Sequence, residues 1–388
     1  MPALPNAQNN LPLTGVRIIE LGHSVAAPYA GLVLAELGAE VIKIEKPGKG
    51  DDARGWGPPF HDGVATTWLA LNRNKSSVVV DLRNPAEREK LAALAADADV
   101  VIQNLKPGHA SELGLGPEAL MARNARLIYT SIWAFGAKGP MAELPGYDPL
   151  MQAFGGIMSV TGDEGRPPVR VGTSIIDMGA GMWIVIGVLS ALLKRGVTGK
   201  GGLVETSLYE TALGWMAYHV AGYAASGDVP KRFGSGVGMI APYQVFSATD
   251  GDIVIGGGND KLFGLIAGVL GHPEWASDPK YRTNGDRVVN RDDLCGRIQA
   301  IVGTKPVAHW EGVLRAKGVP CAPVQGMDQV LAHPQTHALD IVRGQAQNDI
   351  RYFGLPIAFD GARPERDEPA PALGDRTDIL TSGWPKRS

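Results

Sequence analysis

The chain of 388 residues predicts an α/β fold built on an open, mostly parallel sheet. Three observations carry that expectation. Short apolar runs alternate with helical patterns along the N-terminal part of the chain. The first such strand, helix and strand lie within about thirty residues, the span of a β-α-β unit. No internal repeat or low-complexity run interrupts the alternation, and such alternation builds a parallel sheet.

The elements follow in order. Val16-Arg-Ile-Ile-Glu-Leu21 is β-rich. After a turn containing Gly, Ser and Pro, Tyr29 to Leu37 reads as a helix, and Glu40 to Glu45 as the second strand. Ser77 to Asp81 is a strand, and Pro85 to Ala96 a helix opened by Asn84. Val100 to Gln103 and Leu127 to Ser131 are further strands. A long apolar helix follows Asp177, then a strand near Leu203 to Thr206 and a helix from Leu208 towards Tyr223. Composition changes between Ala225 and Ile240, which is rich in Gly, Ser and basic residues. The expected division is therefore a large Rossmann-like domain over 1–224, a linker and small α/β domain over 225–330, and a C-terminal segment over 331–388 that returns to the large domain. The small domain mixes a strand at Asp252 to Ile255 with helices near Lys261 to Leu270 and Arg291 to Val302. The tail from Ile350 is rich in Pro, Arg and Asp and is expected to wrap over another surface.

A net charge of −3 argues against a nucleic-acid partner, which calls for a basic excess. Cys295 and Cys321 cannot make a disulfide scaffold, consistent with a reducing cytosol. Met1 to Asn10 has no cation followed by an apolar run, so no signal peptide is expected. The most apolar uncharged stretch, Met178 to Leu193, is shorter than the roughly 18–20 residues that span a bilayer. A cytoplasmic protein without a membrane partner is the expectation. The eight histidines show no metal-ligand spacing, so no metal is expected.

Asp177 is the only charged residue between Arg170 and Lys194. A carboxylate at the mouth of an apolar helix is either an N-cap or a nucleophile, and local chemistry leaves both open. The first turn, Leu21-Gly-His-Ser-Val-Ala-Ala-Pro28, lacks the G-x-G-x-x-G of a dinucleotide site but can offer N–H groups to a phosphate. Lys43, Lys46, Lys49, Arg54, Arg73, Lys75 and Arg83 cluster in and just beyond strand ends, where such sheets bind ligands. Glu45 reads as a solvated strand end. Tyr147-Asp148 reads as a turn in which the tyrosine either packs or reaches a substrate oxygen. Gly234, Gly236 and Gly238 form either a lid or a linker, and Gly256 to Gly258 follows a strand as a weak phosphate-loop pattern.

Several longer motifs together resemble family III CoA-transferases of the CaiB/BaiF type. They are Leu13 to Leu21, Gly38 to Pro47, Gly50-Asp51 with Arg54-Gly-Trp56, Asn72-Arg-Asn-Lys75, Asp99 to Asn104, Ser131 to Gly136, Thr198 to Gly201 and Gly318 to Pro323. The resemblance runs from about residue 11 to Asp378. It implies that Asp177 is the nucleophile, and also the cap of its helix. CoA would pass from an acyl-CoA donor, succinyl-CoA by preference, to a small carboxylic acid through aspartyl anhydride and aspartyl-CoA thioester intermediates. It implies CoA contacts from His23, Ser24, Val25, Ala26, Lys46, Val80 to Arg83, and Asn104, Leu105 and Lys106, with Arg54 and Lys75 supplying further positive charge. Trp56, Tyr147, Asp148, Gly234, Gly236 and Gly238 are the candidates around the substrate. Glu112 falls where a formyl-CoA transferase relative has a basic contact, and Val25 replaces a glutamine used near oxalate-like substrates. The resemblance also implies a homodimer of two interlocked rings. The rival on the same fold is an α-methylacyl-CoA racemase, which needs a histidine where this chain has Tyr147; a third reading is a silent CoA-binding protein.

Overall fold

The computed structural model describes residues 11–344 and 350–386. Met1 to Asn10, on which the signal-peptide reading falls, lies outside them. The fold is α/β, with two compact units. One comprises residues 1–156, 171–217 and 335–388, and the other 157–170 and 218–334. Residues 157–170, placed by sequence in the large domain, thus fall in the second unit, and the division after the long helix comes at 217 rather than 224.

The large unit holds six parallel strands. They are β1 (Arg17–Leu21), β2 (Glu40–Glu45), β3 (Lys75–Val79), β4 (Val100–Gln103), β5 (Ile128–Trp133) and β6 (Gly202–Ser207). Their order across the sheet is β3-β2-β1-β4-β5-β6, the Rossmann arrangement. Ile19 of β1 stands level with Ile42 on one side and Val101 on the other. All three are buried, as strands covered on both faces require. α1 (Ala26–Glu36) joins β1 to β2, and begins three residues before the sequence pattern suggested. α2 (Pro85–Ala96) is opened by Asn84, whose side chain accepts from the Ala86 N–H.

The crossover from β5 to β6 contains α3 (Asp148–Phe154) and the 24-residue α4 (Ile175–Thr198). By length and composition α4 could cross a membrane, so the shorter uncharged stretch seen in sequence understates it. Here Ile176, Ala180, Ile184 and Val188 are buried along one side. Gly181 lets the helix meet α1, because a Cβ there would lie 2.7 Å from the Ala26 carbonyl oxygen. Gly187 does the same against Val204 of β6.

The C-terminal tail covers the β3 edge. Ser77 N–H donates to Asp375 at 2.6 Å, Arg376 N–H to the Ser77 carbonyl at 3.0 Å, and Val79 N–H to the Thr377 hydroxyl at 3.0 Å. An open strand edge is a pairing hazard, and the tail removes it.

The second unit has an antiparallel sheet of β7 (Tyr243–Ser247), β8 (Asp252–Gly256) and β9 (Cys321–Pro323), with β8 central. Phe246, Ile253, Phe263, Leu294 and Trp310 lie in its core.

Candidate active site

β1 and β4 are neighbours in space, but the chain leaves them in opposite directions across the sheet. Ligands of open α/β sheets bind beyond the carboxyl ends of such strands. The turn after β1 faces this crevice. Asn104, just past β4, brackets it: the Asn104 side chain accepts from His23 N–H at 3.0 Å and donates to the His23 carbonyl at 2.9 Å. On the other side Asp51 accepts from Ser24 N–H at 3.2 Å. Ser24 has φ +68, a left-handed conformation that a non-glycine residue keeps only when neighbours enforce it.

Two cavities flank this turn, and both are lined by His23 and Leu105. One, of about 550 Å³, has Lys46, Asp52, Val80, Asp81 and Arg83 in its wall. The other, of about 680 Å³, includes Ser24, Ala26, Asn104, Lys106, Tyr147 and Asp177. The structure thus gathers Asp177 with most of the proposed CoA contacts, although they come from separate parts of the sequence.

Asp177 is not the cap of α4. The helix starts at Ile175 after Ser174, whose side chain makes no capping bond. Asp148 takes that place from α3: its carboxylate accepts from Ile176 N–H at 2.7 Å and Asp177 N–H at 3.2 Å. The other Asp148 oxygen accepts from the Gln152 amide at 2.5 Å, and Gln152 in turn accepts from Val171 N–H at 2.8 Å. Asp148 is therefore buried behind Asp177 rather than facing the cavity, which corrects its reading as a substrate contact. Burial pushes the Asp177 carboxyl up to about 7, and the Asp148 charge adds to the rise. A carboxyl with such a pKa in a cavity wall is a candidate for chemistry near neutral pH.

The whole chain decides the class of that chemistry. Residues 13–377 match the sequence profile of CoA-transferase family III. The chain belongs to this family. The transferase is 36% identical over 369 residues to succinyl-CoA:glutarate CoA-transferase of Mus musculus, covering 94% of this chain and 85% of that protein. It is 36% identical over 377 residues to acetyl-CoA:oxalate CoA-transferase of Acetobacter aceti, covering 97% and 95%. A crystal structure of a CaiB/BaiF family protein from Brucella suis superposes with TM-score 0.86 at 38% identity, covering 96% of this chain and 99% of that one. The protein is a CoA-transferase, acyl-CoA is its substrate, and the family's chemistry runs through covalent intermediates.

Several residues expected at the transferase site lie elsewhere. Lys75, at the start of β3, is buried and paired with Glu20 at 2.8 Å, and it lines neither cavity. Arg54 grips Glu45 through two nitrogens, at 2.8 and 2.7 Å, and lies 3.5 Å over the Trp68 ring. Glu45 is correspondingly buried, not a solvated strand end. Trp56 is half exposed and lines neither cavity. Val25 is buried, so only its backbone can serve the turn. Lys46 stands in the cavity wall paired with Asp52 at 2.5 Å, and Arg83 pairs with Asp81 at 2.9 Å. Gly234, Gly236 and Gly238 belong to the second unit. There Gly234 N–H donates to the Gly162 carbonyl, and Arg291 donates to the Gly238 carbonyl while lying over Phe233. A Cβ at Gly238 would meet the Phe233 ring at 2.8 Å, which gives that glycine a packing reason.

Sequence reasoning missed Glu20 and Asp51, and it placed Lys43 among the ligand-facing bases, whereas Lys43 is buried in a pair with both acids. The signal was present in Ile18-Ile-Glu-Leu21 and Val41-Ile-Lys-Ile44, where a charge interrupts a run that reads as wholly buried. Such a charge needs a partner.

Proposed function

We propose that Asp177 is the nucleophile, and that this transferase moves CoA from succinyl-CoA to a small dicarboxylate. The supporting observation is the Asp177 carboxyl in the wall of the cavity that the turn after β1 and the segment Asn104 to Lys106 also line. Asp177 attacks the thioester carbonyl, and CoA thiolate leaves an aspartyl–acyl anhydride. The thiolate attacks the aspartyl carbonyl of that anhydride, which releases the donor acid and leaves Asp177 as its CoA thioester. The acceptor carboxylate attacks this thioester to form a second anhydride and free the thiolate. The thiolate then takes the acceptor acyl group and restores Asp177. Covalent catalysis replaces one difficult exchange by four acyl transfers between activated carbonyls.

His23, Ser24, Ala26, Asn104, Leu105 and Lys106 are proposed to hold CoA, with Lys46 and Arg83 near its phosphates. The mouse relative is named for succinyl-CoA and glutarate, and the Acetobacter relative for acetyl-CoA and oxalate. Both acceptors are dicarboxylates, which supports that acceptor class here. Two copies of the chain are proposed to associate, as the family resemblance implies. Met182, Trp183, Ile186, Leu193 and Val197 leave an apolar face of α4 uncovered in one copy, which supports a second copy as its cover.

The test is mass spectrometry of the enzyme after incubation with succinyl-CoA. The expected result is a hydroxylamine-sensitive adduct on Asp177, absent in Asp177→Ala. Full transfer activity in Asp177→Ala would overturn the assignment. A panel of mono- and dicarboxylic acids against succinyl-CoA and acetyl-CoA tests the substrate pair; activity confined to monocarboxylates, or to acetyl-CoA, would remove it.

A further inference from the structure

Four charged side chains under the turn after β1 take no part in the chemistry above. Glu20, Lys43 and Lys75 are buried on three adjacent strands, and Asp51 is buried on the segment after β2. Lys43 Nζ donates to Glu20 at 2.9 Å and pairs with Asp51 at 2.9 Å. Lys75 Nζ pairs with Glu20 at 2.8 Å and donates to the Asn72 side chain at 3.0 Å. Two charges of each sign thus meet away from the solvent-accessible surface, an arrangement that is costly unless geometry and partners are nearly complete.

Three bonds from this cluster reach one short stretch of backbone, while the Asp51 oxygen that serves it also accepts from Ala53 N–H at 3.0 Å. Lys43 donates to the Gly22 carbonyl at 2.7 Å. Asp51 accepts from Ser24 N–H. Lys75 donates to the Pro28 carbonyl at 2.7 Å. Glycines make room for the contact: a Cβ at Gly31 would lie 2.0 Å from the Glu20 carboxylate, and one at Gly22 would lie 2.3 Å from the Ala27 Cβ. Burial alone would raise the Asp51 carboxyl, but Lys43 and the N–H groups it accepts from hold it below its ordinary value. Asp51 is therefore a charged acceptor at neutral pH, and charge-assisted bonds are the stronger ones.

We propose that Asp51, seated by Lys43, is a positioning residue that holds Ser24 in its left-handed conformation and so presents His23, Ser24 and Ala26 to CoA. The role rests on the reading that this turn contacts CoA. Pre-organisation of the turn lowers the ordering cost of binding, so its loss appears in KM for acyl-CoA more than in kcat.

Steady-state kinetics on Asp51→Ala and Asp51→Asn test it. Asp51→Ala is expected to raise KM for the acyl-CoA donor by about tenfold, the scale of one lost charge-assisted bond, with kcat little changed. Asp51→Asn keeps an oxygen for Ser24 and is expected to restore most of that loss. A purely structural role would lower kcat per total enzyme and leave KM alone, and that result overturns the proposal. Should Asp51→Ala not fold, Ser24→Val and Ser24→Gly carry the test without touching the cluster. A β-branched residue resists positive φ and glycine does not, so KM is expected to rise further in Ser24→Val than in Ser24→Gly. Equal KM in the two variants overturns the proposal. His23→Glu separates the two readings: unchanged KM there removes the CoA site itself. A raised KM in His23→Glu beside unchanged KM in Asp51→Ala removes only the positioning role.

Discussion

The carboxylate of Asp148 accepts the backbone N–H groups of Ile176 and Asp177, so α4 is capped by a residue 29 positions before Asp177. One acid caps the helix while the other is left free to face the cavity. The same contact places two carboxyls close together, and the Asp148 charge adds to the burial that raises Asp177 to about 7.

The pH dependence of catalysis follows. Attack needs the Asp177 carboxylate, so kcat/KM is expected to rise with pH through about 7. Asp148→Asn keeps an oxygen for the helix N–H groups but removes the charge. The acidic limb is expected to move down by roughly half to one pH unit, because burial, the larger cause, remains. An unmoved limb would show that Asp148 does not influence Asp177.

Stability carries the opposite sign. The ordinary carboxyl value is 3.8 and the folded value about 7, so the native state holds this proton more tightly than the unfolded chain. The cost of ionising Asp177 is absent below the unfolded pKa, grows as pH rises, and is complete above the folded one. Asp177→Asn is therefore expected to raise Tm at pH 8, by about 2 °C or more, and to leave it unchanged at pH 3.5. Calorimetry at the two pH values reads the difference.

Lys75 and Arg83 make a contrasting pair. Lys75→Met leaves part of the Glu20 charge buried without its partner, and a loss of about 3–5 kcal/mol is expected in denaturant unfolding. Arg83 is almost wholly exposed in its pair with Asp81, and Arg83→Ala is expected to leave the unfolding midpoint where it is. If Arg83 serves CoA, its loss appears in KM alone.

The apolar face of α4 gives an assembly prediction. Ile186→Glu with Leu193→Glu is expected to convert a dimer to a monomer in light scattering, since a charge cannot enter an apolar interface without a partner. A wild-type chain that is monomeric at micromolar concentration removes the expectation at once.

Much of the large unit was legible before the fold was known. Strand and helix alternate with their own periods, and β1, α1 and β2 follow from residues close in sequence. The position of Asp177 on an apolar helix was equally visible, because the helix writes itself into Met182, Ile186, Leu189 and Leu193. Its neighbours were not visible. Asp148 read as a turn residue because nothing local says that its carboxylate meets a helix far along the chain. The basic residues misled for a related reason. Lys46 and Arg83 reach a cavity, whereas Arg54 and Lys75 turn inward to Glu45 and Glu20, and their local sequences do not distinguish the two fates.

By itself the sequence determined the parallel α/β sheet, the family, and the helix on which the candidate nucleophile rides, because each is written in periodicity or in long ordered motifs. Only the tertiary structure decided that Asp148 rather than Asp177 caps that helix, and that Lys43 and Asp51 hold the turn after β1. The physical reason is that these contacts join strands and helices whose spacing is set by packing. A hydrogen bond of 2.7 Å between Asp148 and Ile176 exists only once β5, α3 and α4 are assembled around one core.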